Sequence, residues 1–124
     1  MKYLILIYDN PASREIWAGL PDEQRKEGLQ GYVELNAVLD ASGEGIVHHA
    51  LADAKETKQV SVRDGRILTT DGPFAEVKEQ LAGFYLVDCD SIDRAIEHAA
   101  MIPEATGFGV VEVRPIQDLS ALGI

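Results

Sequence analysis

The chain has one cysteine, no long apolar run, no basic cluster and no low-complexity tract. Each shortage excludes something. With Cys89 alone, no internal disulfide can form, which suits a reducing compartment, and the cytoplasm is the expected location. The apolar stretch Tyr3–Tyr8 is far too short to span a membrane, and it has neither a basic leader nor a small-residue cleavage site. Lysine and arginine number 11 against 21 aspartates and glutamates, a formal net charge of -10. The one dense basic pair, Arg25 and Lys26, sits among Asp22, Glu23 and Glu27. A nucleic-acid surface needs clustered cations to neutralise phosphates, so none is expected, and an anionic membrane is disfavoured for the same reason. Zinc-ligand spacing, a nucleotide-binding fingerprint and a serine elbow are all missing, so neither a metal nor a cofactor is expected.

What is present fits one domain over residues 1–124, with 46% hydrophobic and 26% charged residues. Lys2–Tyr8 reads as a strand that is apolar on both faces. Asn10-Pro11 offers a helix cap and a first-turn proline, opening a short helix through Trp17. Pro21 starts a second helix that the pattern carries to about Ala41, ending near Gly43. Gly28 and Gly31 lie inside it and cost about 1 kcal/mol each relative to alanine. Either the helix is weak there or it packs close to another backbone. Ile46–Ala50 is the next strand. Gln59–Arg63 and Arg66–Thr70 flank Asp64-Gly65, a strong hairpin signal. Gly83–Val87 follows, then a helix capped at Ser91 with the stripe Ile92, Ala95, Ile96, Ala99 and Ile102. Val110–Arg114 is the last strand. The order is a βαββαβ plan with an extra hairpin, so the expected fold class is α+β, an antiparallel sheet with helices on one face. Two strands apolar on both faces then leave one face uncovered, and a second copy of the chain is the simplest cover.

Thr70–Gln80 joins the hairpin to the next strand. Pro73 fixes its own φ and biases Gly72 toward extended geometry. Phe74 can plug the loop into the core, leaving Asp71, Glu76, Lys78 and Glu79 projecting. The stretch Asp71–Glu79, DGPFAEVKE, resembles the signature of the DGPF branch of the YCII-related family. The similarity extends through KYLILIY, GEGI, VRDGRILTTDGPFAEVKEQLAGFYLVD, DSIDRAIEHAAMIP and VEVRPI. Val77 stands where that branch usually has threonine, so any role of a hydroxyl there is absent. The resemblance implies a ferredoxin-like sandwich that pairs into a dimeric α+β barrel. In the wider family it implies enzymes with a His–Asp pair at a cleft, one type of which eliminates chloride from a chlorinated hydroquinone. The branch also often sits beside genes for extracytoplasmic-function sigma factors.

The candidate chemistry follows from these residues. Asp71, Glu76 and Lys78 form one constellation: a carboxylate raised by its neighbours can act as a base while Lys78 holds an anion. Its alternative is a structural turn with solvated charges. Tyr8, His48, Phe74, Glu79 and Tyr85 are the candidate ligand-binding residues, with Tyr8 or Tyr85 offering a hydroxyl. His48 and His49 are adjacent on a strand and point to opposite faces, so they cannot chelate one metal together. His98 lies off its helix's apolar stripe and is expected to be exposed. No histidine occurs between Pro11 and Gly45, so the first helices supply none for a His–Asp pair. Cys89, between Asp88 and Asp90, is a weak nucleophile candidate. The expected function is a small-molecule binding protein or cofactor-independent enzyme, with its pocket between the sheet and the DGPF loop. The alternative is an accessory partner of a sigma-factor-linked regulator.

Overall fold

A computed structural model describes residues 1–73 and 78–124 of the chain. Among the described residues, the strands are β1 Lys2–Asp9, β2 Gly45–Ala50, β3 Lys58–Arg63, β4 Arg66–Asp71, β5 Gln80–Asp88 and β6 Val110–Pro115. The α-helices among them are α1 Pro11–Ala18, α2 Asp22–Gly28, α3 Gln30–Ser42 and α4 Ile92–Ala99. Strands β2, β5, β1 and β6 form one antiparallel sheet in that order, and β3 pairs only with β4 in a separate sheet. With the hairpin set aside, this is the interleaved order of two split β-α-β units, as expected for the βαββαβ plan. Among the described residues, no helix is long and apolar enough to cross a membrane.

Local chemistry sets most of the boundaries. The Asn10 side chain accepts a hydrogen bond from Ser13 N at 2.8 Å, and Pro11 occupies the first turn of α1. Ser91 does the same for α4 through Arg94 N at 3.2 Å. Asp64 and Gly65 both take positive φ, 50° and 75°, the paired left-handed geometry that a two-residue hairpin turn requires.

The core lies between the sheet and the helices. Tyr3, Ile5 and Ile7 of β1, with Tyr85 and Val87 of β5, face Leu35 and Leu39 of α3 and Ala95, Ala99 and Ile102 of the α4 region. Leu4, Leu6, Phe84 and Leu86 point to the other face, where they are half-buried.

The structure departs from the sequence pattern in two places. The long second helix is two helices, divided at Leu29, which is the last cap of α2 and the first cap of α3. Both glycines there are explained by close approach. A β-carbon at Gly28 would lie 2.7 Å from the Trp17 ring, and one at Gly31 would lie 2.8 Å from the Met101 carbonyl oxygen.

The second departure is the face that α4 buries. Ile92 and Ile96 stay 39% and 49% exposed, while His98 is 1% exposed and sits in the core. Small Ala95 and Ala99 allow α4 to approach the sheet, and His98 finds a carboxylate there. The apolar stripe is thus displaced toward the histidine, and the isoleucines line a surface groove against Val111 and Val113.

The close approach at Gly31 yields an expected outcome. Gly31→Ala gains about 1 kcal/mol of helix propensity but pushes the α3 backbone off Met101, at a cost of about 1–3 kcal/mol. Net destabilisation in urea unfolding is expected, and a stabilised variant would contradict the close contact.

Candidate functional site

Two polar clusters gather on the helix side of the sheet. The first is a cleft between α3 and β2, with a volume of about 160 Å³, whose walls include Asn36, Asp40, Ile46, Val47 and His48, with Tyr85 among them. Pairing fixes who meets whom. His48 lies opposite Tyr85 in the β2–β5 register, so both side chains fall on the helix side. Their rings stack, with centroids 4.8 Å apart and planes 19° from parallel. Tyr85 is 4% exposed and donates its hydroxyl hydrogen to Asn36 Oδ1 at 2.8 Å. Tyr32 of α3 is nearly parallel to Tyr85, with ring centroids 6.5 Å apart, and donates to Glu104. Burial, together with the Glu104 carboxylate, pushes the Tyr85 phenol up to about 12 and the Tyr32 phenol further still. Both tyrosines are therefore neutral hydrogen-bonding groups at physiological pH. His48 stays exposed at the cleft wall.

The second cluster ties the α3–β2 turn to α4. Arg94 Nε approaches both Glu44 oxygens, at 3.1 and 3.2 Å, and Arg94 Nη2 adds a contact to Oε1 at 3.0 Å. His98 Nε2 lies 3.0 Å from the same oxygen. Arg94 Nη1 also donates to Glu97 at 2.8 Å. The Arg94 hydrogen bonds hold the Glu44 carboxyl down at about 2, with smaller help from Ser42, Cys89 and His98 against the cost of burial. Cys89 moves the opposite way. Burial first, then the Glu44 carboxylate, pushes its thiol up to about 11. That is the reverse of an activated nucleophile. Glu44, Cys89 and His98 bring three metal-ligating atom types within 4.8 Å of one another. However, Glu44 is already held through both oxygens by Arg94, so the group is better described as a part-buried ion-pair latch than as an open metal site. Sequence reasoning missed it because Glu44 and His98 lie 54 positions apart. The one available signal was the histidine next to Ala99 and three residues after Ala95 on α4.

The expected site residues do not all converge. His48 and Tyr85 meet, as described. Tyr8 lies on the opposite face from Tyr85, because Tyr85 pairs with Ile5 and alternation along β1 sends Leu4, Leu6 and Tyr8 to the other side, where Tyr8 lies against Leu81 and Val110. There, burial and the nearby Glu112 carboxylate raise its phenol. His49 shares that face, tilted against Phe84 at 6.0 Å. Asp71 ends β4 and pairs with Lys58 across the hairpin, with both side chains exposed. Lys78 is exposed, and neither it nor Asp71 lines the α3–β2 cleft. Glu79 is half-buried, and its Oε2 has no hydrogen-bond partner among the described residues. Phe74 and Glu76 lie outside the described residues.

Fold and site define a small α+β protein with a four-stranded antiparallel sheet and a polar cleft at one sheet edge. The chain belongs to the YCII-related domain family, whose model matches residues 1–120. It is 34% identical over 117 residues to an uncharacterised protein of Rhizobium meliloti, covering 94% of this chain and 92% of that one. A solved structure of 5-chloro-2-hydroxyhydroquinone dehydrochlorinase from Burkholderia phenoliruptrix, in complex with 2,5-dihydroxybenzoquinone, overlaps with a TM-score of 0.48 at 14% identity, covering 98% of each chain. That level of likeness does not bear on activity. None of these relatives lends support to the sigma-factor-linked reading.

The latch has a pH signature. The Glu44 carboxyl is depressed in the folded state, so its contribution is full above the ordinary value of 4.5 and is lost as pH falls toward about 2. Glu44→Gln should cost roughly 2–3 kcal/mol at pH 7. The gap to the wild type should close between pH 4.5 and 2 in urea unfolding; a gap independent of pH would rule out the depressed carboxyl as its source.

Proposed function

We propose that the protein binds a small organic molecule in the α3–β2 cleft, either as a cofactor-independent enzyme or as a binding protein. The observation that carries this reading is the His48–Tyr85 stack beside Asn36 and Asp40. It puts an exposed imidazole, a carboxylate and a fixed phenol around one concavity, and imidazole and carboxylate are the groups that general acid–base chemistry uses. Tyr85 is held by Asn36 and serves to orient and pack, because its raised phenol does not ionise at neutral pH. Asp40 is exposed and favours a cationic or hydrogen-bond-donating ligand group. The cleft is smaller than the roughly 300–1,000 Å³ of drug-sized sites, which limits the ligand to a metabolite of few heavy atoms.

A second reading places the ligand at the DGPF loop, with Asp71, Glu76 and Lys78 handling charge. The feature favouring it is Glu79, whose half-buried Oε2 finds no hydrogen-bond donor among the described residues.

The assembly we propose is a homodimer in which the second copy covers the sheet face bearing Leu4, Leu6, Phe84 and Leu86. An apolar sheet face needs cover, and α3 and α4 both lie on the opposite side. A dimeric α+β barrel is the arrangement that the family resemblance implies.

A thermal-shift screen against a metabolite panel tests the site. A ligand at 100 times its dissociation constant adds about 2.7 kcal/mol to stability. The stabilisation should vanish in His48→Gln and persist in Glu76→Gln. The reverse pattern would move the site to the loop, and a ligand that stabilises both variants as well as the wild type would remove both readings.

A further inference from the structure

Strands β2 and β6 are the edges of the main sheet. The β2 edge is irregular: its register with β5 shifts between Gly45 and Val47, and such a bulge is one way in which an exposed edge is kept from pairing further. The β6 edge runs against β1 from Val110 to Pro115 with no shift. One contact fixes its hydrogen-bonding polarity, because the Ile116 N–H donates to the Lys2 carbonyl at 2.9 Å. Main-chain groups alternate sides along a strand, so Arg114 and Glu112 also turn theirs toward β1, while Val111 and Val113 turn theirs outward. Among the described residues, no strand takes up that outward row of donors and acceptors.

Both faces of this edge are unfinished. On the helix side, Ile92 and Ile96 of α4 are 39% and 49% exposed and line, with Val111 and Val113, an apolar groove of about 360 Å³. On the other side, Glu112 and Arg114 are exposed, and neither forms an ion pair among the described residues. A second β6 laid antiparallel on the first must match outward groups with outward groups. Two such registers overlap most of the strand. In one, the two-fold axis passes through Glu112, so Val111 faces Val113 and the two Glu112 carboxylates face each other. In the other it passes through Val113, so Val113 faces itself, Val111 faces Pro115, and each Glu112 faces an Arg114. Over Val111–Pro115 both registers make equally many main-chain bonds, even though Pro115 accepts without donating. Charge then decides, because like charges directly opposite on neighbouring strands repel and unlike charges attract. The edge is self-complementary only about Val113.

We infer that β6 pairs antiparallel with β6 of a second copy of this chain about Val113, with Glu112 opposite Arg114 on each side of the axis, so that the main sheets of the two copies become one continuous sheet. The two-fold axis keeps both α4 helices on the same side of that sheet and turns their Ile92–Ile96 flanks toward each other, which covers the groove. The pairing also accounts for the isoleucines that α4 leaves out of its own core. This seam is separate from the sheet face bearing Leu4, Leu6, Phe84 and Leu86. It therefore goes beyond the homodimer proposed above and joins such dimers into a larger assembly.

The test is sedimentation equilibrium of the full chain at micromolar concentration, comparing the wild type with Ile92→Glu/Ile96→Glu. Both positions are already exposed in the single chain, and circular dichroism checks that the variant stays folded. The expected result is a wild type larger than a dimer and a variant that is a dimer. A wild-type dimer that the variant splits into monomers would keep the edge seam and remove the sheet-face reading. An assembly of any size that the variant leaves unchanged would overturn the edge seam, and a monomeric wild type would overturn both. The register has its own test. Arg114→Glu sets like charges opposite each other and should raise the dissociation constant of the seam roughly tenfold or more, equivalent to about 1.4 kcal/mol. Glu112→Arg/Arg114→Glu exchanges the charges, restores unlike pairs and should recover the wild-type constant. An exchanged variant as weak as Arg114→Glu would overturn the pairing about Val113.

Discussion

The pairing of β1 with β5 governs the rest of the molecule. Ile5 lies opposite Tyr85 and Tyr3 opposite Val87, and these residues form the middle of the buried face. Side chains alternate along a strand, so a slip of one residue would send this set to the far side of the sheet. The register therefore decides that Tyr85 faces α3. Because β2 is hung on β5 in turn, it also decides that His48 stacks on Tyr85. The cleft is a consequence of two strand registers rather than of any local motif.

The helices are attached to that sheet by different means. For α3 the attachment is apolar at Leu35 and Leu39, and close at Gly31, where only hydrogen fits against the Met101 carbonyl. For α4 it is partly ionic. Arg94 and His98 converge on Glu44 from the turn before β2, so one carboxylate joins the end of α3, the start of β2 and α4. Glu44 is partly buried, so losing Arg94 would leave its carboxylate without its main partner, which makes this contact costly to break even where its net contribution is modest. It also absorbs the lone cysteine. The thiol of Cys89 is neutral, buried and next to a carboxylate, and it behaves as a small core side chain.

The two faces of the sheet have separate duties. The helix side holds the core and the cleft. The other side carries half-buried leucines and phenylalanine beside Glu112 and Arg114. Tyr8 and His49 belong to this second face, so any chemistry they perform is separated by the thickness of the sheet from that of His48 and Tyr85.

Composition, caps, turn residues and strand alternation were enough to define the α+β class, the strand order along the chain and the hairpin turn at Asp64-Gly65. These features are local, and local physics sets them: proline φ, cap hydrogen bonds and left-handed glycine depend on neighbours a few positions away. The motif at Asp71–Glu79 was enough to indicate the family. The sequence did not by itself determine which charged groups meet. The stripe on α4 held for Ala95, Ala99 and Ile102 but not for Ile92 and Ile96, because hydrophobicity counts residues and takes no account of Glu44, the partner that draws His98 inward. Tyr8 and Tyr85 looked equivalent until the pairing of Ile5 with Tyr85 put them on opposite faces. Only the tertiary structure decided these points, because ion pairs, register shifts and close backbone contacts join positions far apart in the chain, and their energies exist only once the sheet has brought those positions together.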